Sequence, residues 1–250
     1  MVFSMTSGQT NPTVCDYNDY DYRTQFWSKA NRTYEHQSEV TMVRRLIQNW
    51  ATQHTHICDA GCGFGRLIPA YENLFEQYHL VDYAASMLNQ IDSRFTATSG
   101  YHRYQQSLYD ITLPYPMDVI ISIRTLHHLP DTERLLDRLY HQLSPNGILI
   151  MDIPNYYHIK QRLKRPFQKK LDRIKRSNQY YTYNTKKIIE IFKIKGFNIV
   201  CKRQMGLFRS HFLKKWVPPQ WLMALDMVAN WFFSQWDIGP SVYIVAKKCG

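Results

Sequence analysis

The chain has 250 residues, enough for one α/β domain of ordinary size with room for a lid or a terminal extension. Apolar residues at 44% and aromatics at 14% can fill a core, which excludes wholesale disorder. The formal net charge of +11 is concentrated, because residues 155–215 hold 18 Lys/Arg against Asp172 and Glu190 while the rest of the chain holds 13 against 18 acids. Such a block suggests an anionic partner, either nucleic acid or an anionic membrane surface. The longest oily stretch, Trp221 to Phe233, is 13 residues and contains Asp226 and Asn230, too short and too polar for a transmembrane span. The N-terminus has neither a basic region nor a long apolar run and does not read as a secretory signal. Cysteines at 15, 58, 62, 201 and 249 form no CxxC pair. No disulfide partner and no metal site is therefore expected, and a reducing cytoplasm fits best, with peripheral membrane contact left open.

In chain order, residues 1–22 read as a flexible N-terminal segment containing the acidic, tyrosine-rich stretch Asp16 to Tyr22. A helical region follows from about Arg23 to Trp50, with Val40, Val43, Ile47 and Trp50 at helical spacing. Next, short apolar runs alternate with helices: a strand over His56–Ala60, a helix over Arg66–Gln77, a strand over Tyr78–Asp82 and a helix over Ala84–Ile91. Asp118 to Ile123 is a nearly unbroken apolar run of the kind found in buried parallel strands. Asp131 can cap the next helix, whose Leu135, Leu136, Leu139 and Leu143 give a core stripe. Ser144–Gly147 reads as a turn and Ile148–Ile153 as another buried strand. Phe197–Lys202 and Ser241–Ala246 look like two further strands that could pair antiparallel at one end of the sheet.

The expected fold class is α/β, a doubly wound, mostly parallel seven-stranded sheet of Rossmann-like type with helical lid additions. Its core takes in residues 23–153 and 195–250. Two additions, 154–194 and 207–238, are expected to form the acceptor lid. The first carries Ile159, Leu163, Phe167, Leu171 and Ile174 as a stripe among Lys and Arg, with Pro166 kinking any continuous helix. The second carries Trp221, Leu225, Val228, Phe232 and Trp236.

The chemical signal is Asp59-Ala-Gly61-Cys62-Gly63-Phe-Gly65-Arg66, between a strand and a helix. Glycines there let the chain turn tightly and let a ligand lie against bare backbone. In such sheets ligands bind at the carboxyl ends of the strands. Asp82 ends the next strand, where a carboxylate can accept hydrogen bonds from two ribose hydroxyls. A nicotinamide enzyme would show GxGxxG; here the third glycine comes one position early, and Arg66 follows it.

ICDAGCGFGRL, HLVDYAASML, DVIISIRTLHHLPD and LSPNGILIMD together resemble the class I S-adenosylmethionine-dependent methyltransferase family, nearest its ubiquinone/menaquinone-biosynthesis-like (type 11) branch. The resemblance covers residues 55–153 and the terminal strand near GPSVYIVAKK. It implies S-adenosyl-L-methionine as cofactor, with Asp59, Gly61, Cys62, Gly63 and Gly65 holding its methionine end and Arg66 placed to help its carboxylate. Asp82 would hold the ribose and Tyr83 flank the adenine. Ser107 and Leu108 fall at the usual adenine contact, where the family's acid is displaced to Asp110. Ile123 and Arg124 fall where the fourth strand meets the sulfonium.

Methyl transfer needs an in-line acceptor, exclusion of water and, where the nucleophile carries a proton, a base. Candidates are His127, His128 and Asp131 after the fourth strand, and Asn155, Tyr156, Tyr157 and His158 after the fifth. Of these, His127, His128 and Tyr156 are the expected catalytic set. Asp152-Ile-Pro-Asn-Tyr156 is faintly like the (Asp/Asn)-Pro-Pro-(Tyr/Phe) signature of adenine and glutamine N-methyltransferases, but it follows the wrong strand, and that subclass is rejected.

The expected acceptor is a small aromatic or lipid-like molecule, O- or C-methylated. Phe26, Trp27 and the Trp221–Trp236 segment would wall its pocket, and Lys/Arg would lie at a membrane surface. The alternatives are RNA, tracked by the 155–215 block with Tyr180, Tyr181 and Tyr183 stacking on bases, and a non-catalytic cofactor-binding partner subunit.

Overall fold

Strand β4 (Met117–Ser122) is buried at every position, and the fold is organised around it. From Val119 onward its side chains alternate between two cores, as the period of a strand requires, and a register shift between Met117 and Val119 sets Met117 on the same side as Ile120. Val119 and Ile121 join Val43, Ile47, Ile57, Ile68 and Tyr71 on one face. Met117 and Ile120 join Leu135, Leu136, Leu139, Ile188 and Phe192 on the other. The computed structural model describes Trp27 and residues 32–96, 100–164, 173–177, 180–205, 207–208, 211–233 and 236–249.

In chain order the strands are β1 (His56–Ala60), β2 (Gln77–Asp82), β3 (Tyr101–Gln105), β4, β5 (Leu143–Pro154), β6 (Arg173–Ser177), β7 (Tyr180–Tyr183), β8 (Phe197–Met205) and β9 (Ser241–Lys248). The helices are α1 (Thr33–Trp50), α2 (Ile68–Tyr71), α3 (Ala85–Leu88), α4 (Ser93–Thr96), α5 (Thr132–Gln142), α6 (Ile159–Lys164), α7 (Thr185–Ile194), α8 (His211–Trp216) and α9 (Pro219–Phe233). Among the described residues a seven-stranded sheet runs β3-β2-β1-β4-β5-β9-β8. Strands β1 to β5 are parallel, whereas β9 is antiparallel to both of its neighbours. The α/β expectation and the antiparallel pair at one end both hold.

Several local expectations change. The helix over 66–77 is a single turn, because Pro69 sits in its first turn, Glu72 is extended and Asn73 takes φ +62°. The 84–91 helix likewise shortens to α3. Strand β3 adds to the expected elements; its edge position leaves three of its five residues exposed and hides the apolar alternation. The Ser144–Gly147 turn is a bulge inside β5: Leu143 pairs with Met117, Ile148 pairs with Val119, and Asn146 at φ +64° takes up the slack. Asp131 does cap α5, accepting from Arg134 N at 3.1 Å.

The basic block is not one kinked helix. It contains α6 and an antiparallel β6–β7 hairpin, so Ile174 belongs to a strand; Phe167 and Leu171 lie outside the described residues, as does Phe26. Tyr183 is 2% exposed and its hydroxyl donates to the Leu126 and Leu129 carbonyls, which removes it from the tyrosines able to stack on bases.

Ile120 has no exposed surface and packs between α5 and the sheet. Ile120→Ala should cost about 2–5 kcal/mol of stability, read by urea unfolding with an unchanged denaturant slope.

Candidate active site

At the carboxyl end of β1 the chain crosses over β2: Gly61 N and Cys62 N both donate to Val81 O, at 2.8 and 3.0 Å. Gly61, Gly63 and Gly65 take φ of +86°, +55° and +76°, a region that side chains rarely adopt. They do different jobs. A Cβ on Gly61 would meet Thr125 Oγ1 at 2.5 Å, whereas one on Gly63 would meet nothing within 4 Å. Gly63 thus presents bare backbone to open space. Gly65 lies behind the cleft, where a Cβ would strike Ile68 Cδ1 at 2.6 Å; it makes room for packing and does not line the cleft, contrary to its expected role.

Asp82 fastens the turn from the opposite strand. Its Oδ2 accepts from Gly63 N at 2.8 Å and its Oδ1 from Ala84 N at 2.9 Å. A carboxylate has about four lone-pair sites, so each oxygen keeps acceptor capacity for a ligand. Burial pushes the Asp82 pKa upward, and the backbone N–H groups of Ala84, Gly63 and Tyr83 oppose that shift.

The cleft between these loops is a cavity of about 130 Å³. Of the expected cofactor residues, Asp59, Gly61, Cys62, Gly63, Arg66, Asp82, Tyr83, Ser107, Leu108, Ile123 and Arg124 line it, joined by Trp27, Thr125 and His128. Bare glycine backbone beside the Asp82 carboxylate, with apolar walls at Met87, Leu108 and Ile123, fits a nucleoside carrying a charged tail. Among the described residues no group of three or more His, Cys, Asp or Glu is arranged to hold a metal ion.

Sequence reading missed the group beneath the cleft. Glu39, on α1, has no exposed surface. It accepts from Arg66 Nη2 at 2.6 Å, Arg124 Nε at 2.7 Å and the Tyr243 hydroxyl at 2.9 Å. The Trp27 ring covers both guanidinium groups, with its centroid 3.9 Å from Arg66 Cζ and 5.2 Å from Arg124 Cζ. Burial works against the charge on Arg124, but the Glu39 carboxylate together with Tyr243 and Asp152 outweighs it and holds the pKa above its ordinary value. Arg124 itself takes φ +58°, and its N–H donates to Asp152 Oδ1 at 2.6 Å. A signal for Glu39 existed in the sequence: an acid four residues before Val43 and eight before Ile47, on the face that should be apolar.

The expected catalytic residues part company. His127 and His128 sit on one 3₁₀ turn (Leu126–His128), their ring centroids 3.9 Å apart. His128 lines the cleft, whereas His127 lines a second cavity of about 140 Å³ with Arg124, Asp152, Asn155, His158 and Tyr180. Arg124 is common to both cavities. Burial, then the neighbouring His128 and Arg124, drive the His127 pKa well below its ordinary value, so its ring is neutral at pH 7. Tyr156 lines neither cavity: it is 4% exposed, its N–H donates to Tyr183 O, and its ring meets Tyr157 edge-on. Trp27 walls the cleft as expected, but Trp221, Leu225, Val228, Phe232 and Trp236 are exposed and line neither cavity.

A sheet with one antiparallel strand next to the end, and a glycine turn facing an acid on the adjacent strand, is the Rossmann-like fold of class I methyltransferases. Residues 58–149 match the family model described as "Methyltransferase domain". The chain is 29% identical over 126 residues to a malonyl-[acyl-carrier protein] O-methyltransferase of Bacillus anthracis, covering 50% of this chain and 45% of the relative. It is 30% identical over 118 residues to a carboxy-S-adenosyl-L-methionine synthase of Campylobacter lari, covering 44% and 49%. The chain therefore spans about half the length of the curated relatives it matches. Among solved structures, a magnesium protoporphyrin IX methyltransferase from Synechocystis PCC 6803 with bound S-adenosylhomocysteine superposes with a TM-score of 0.61 at 16% identity, covering 93% of this chain and 95% of that one.

Asp59 gives the site a pH signature. Burial pushes its pKa from 3.8 up to about 7, against the opposing pull of the Tyr71 hydroxyl and Arg66. Between those values the folded chain holds a proton that the unfolded chain has lost, so this group lowers stability as pH rises through the window and adds nothing further above it. In urea unfolding at pH values across that window, wild type should lose stability relative to Asp59→Asn as pH rises. Parallel profiles would mean that Asp59 is ionised throughout.

Proposed function

We propose that the chain is an S-adenosylmethionine-dependent methyltransferase acting on a small molecule. The observation that carries this reading is Arg124, common to the glycine-turn cleft and to the second cavity, because transfer needs two ligands to meet at one point. When bound, the cofactor supplies an electrophilic methyl group. In this reading the chain's residues bind, orient and take up a proton. Gly61–Gly63 and Arg66 receive the amino-acid end, Asp82 the ribose hydroxyls, and Tyr83, Ser107 and Leu108 flank the base. Trp27 and Leu129 keep water from the meeting point.

Polar groups line the second cavity, and this favours O-methylation over C-methylation: Arg124, Asn155 and His158 suit an oxygen-bearing head, and neutral His127 has a lone pair to accept its proton. The similar Bacillus anthracis relative is named as an O-methyltransferase. The remainder of the acceptor is aromatic or lipid-like, in keeping with the resemblance to the ubiquinone/menaquinone-like branch.

Two measurements test this reading. Asp82→Ala should weaken S-adenosylmethionine binding by about 1–3 kcal/mol in calorimetry, and unchanged affinity would remove the ribose assignment. His127→Gln should leave that affinity intact while lowering turnover about 10²–10⁴-fold, read as transfer of labelled methyl from the cofactor into organic-soluble extract. Label entering nuclease-sensitive material instead would make the acceptor RNA.

A further inference from the structure

Helix α9 is built inside out. Leu222, Asp226 and Asn230, four residues apart, form its buried face at 1%, 4% and 6% exposure. The two polar groups on that face are satisfied by the protein body. Asp226 accepts from the Tyr34 hydroxyl and from Leu207 N, while Asn230 exchanges two hydrogen bonds with the Gln204 backbone, both at 2.6 Å. The outward face is apolar: Trp221, Leu225, Val228 and Phe232, at 64%, 46%, 56% and 62% exposure, follow one another at helical spacing. A helix docked through water-soluble groups, with its oily stripe turned to solvent, reverses the usual pattern.

The stripe continues at both ends. Beyond the helix, Trp236 is exposed, and its carbonyl accepts from Arg162 of α6 at 3.4 Å; Ile159 and Leu163 of that helix are exposed as well. Before the helix, exposed Trp216 lies 5.7 Å from Lys215 Nζ. Between His211 and Trp236 the sequence has one acid, Asp226, and it points inward; Ile159–Lys164 has three cations and no acid.

We propose that this face seats on an anionic lipid bilayer, with α9 lying in the plane of the interface. A 15-residue helix is about 22 Å long, short of a hydrocarbon core of about 30 Å, and no described helix is long and apolar enough to cross a membrane. Tryptophans at the margins of the stripe suit the headgroup level, and flanking Lys215 and Arg162 suit anionic lipid. The same cations disfavour a second copy of the chain, since a two-fold pairing of this face would set like charges against each other. This inference stands apart from the proposed activity and needs none of the cleft residues.

The test is sedimentation of the full chain with vesicles of phosphatidylcholine alone and of phosphatidylcholine mixed with phosphatidylglycerol. Wild type should pellet with the mixed vesicles and progressively less as salt is raised. The Leu225→Glu/Val228→Glu variant should partition about tenfold less or worse while keeping the wild-type circular dichroism spectrum. Should that variant misfold, quenching of wild-type tryptophan fluorescence by brominated lipid in the mixed vesicles reads insertion directly, and its absence overturns the proposal. Wild type left in the supernatant with both vesicles overturns it, as does equal pelleting with both or a variant that binds as well as wild type. So does a wild-type dimer in light scattering that ignores vesicles and is split by the variant, because a second copy would then cover the face.

Discussion

A single carboxylate with no access to water holds the site together. Charges buried as deeply as Glu39 persist when they are paired and hydrogen-bonded, and here two guanidinium groups and a tyrosine hydroxyl meet that demand. The four residues of this group come from four places in the chain: α1 gives Glu39, the glycine turn gives Arg66, the end of β4 gives Arg124 and β9 gives Tyr243. The helix that precedes the sheet is therefore pinned to the carboxyl edge where ligands bind. Removing Glu39 would leave two part-buried cations without their shared carboxylate on the floor of the cleft.

The same helix reaches the outer surface. Two residues of α1, one turn before Glu39, contact the region of the exposed aromatic face: Tyr34 bonds Asp226 of α9, and Glu35 pairs with Lys214 of α8 at 2.7 Å. Helix α1 thus carries polar contacts both to the underside of α9 and to the guanidinium groups in the cleft. The two cavities, for their part, meet at one 3₁₀ turn, which turns neighbouring histidines toward different cavities.

What could be read from the sequence was what is local. The glycine turn, Asp82 and the apolar runs of β4 and β5 announce themselves within a dozen residues, and each falls where expected. The rest depends on partners far apart in sequence. Glu39 meets Arg124 85 positions on and Tyr243 204 positions on, so its spacing can betray an anomaly but not what resolves it. The β6–β7 hairpin was hidden by Lys and Arg, which obscure the period of a strand, and Gly65 differs from Gly63 only in having Ile68 packed against it. Tyr156 and the α9 aromatics show the complementary error, in which residue type suggested a ligand contact that the direction of the side chain denies.

Arg124 stands apart from every other residue in the cleft because it is strained as well as charged. A non-glycine residue in the left-handed region costs about 1–2 kcal/mol, and here the Asp152 carboxylate on its N–H and Glu39 on its side chain over-determine the conformation. Glycine at this position would relieve the backbone while abolishing the cation shared by the two cavities. Selection for robustness and selection for use therefore pull this one codon in opposite directions, and a lineage released from its chemistry should drift here first.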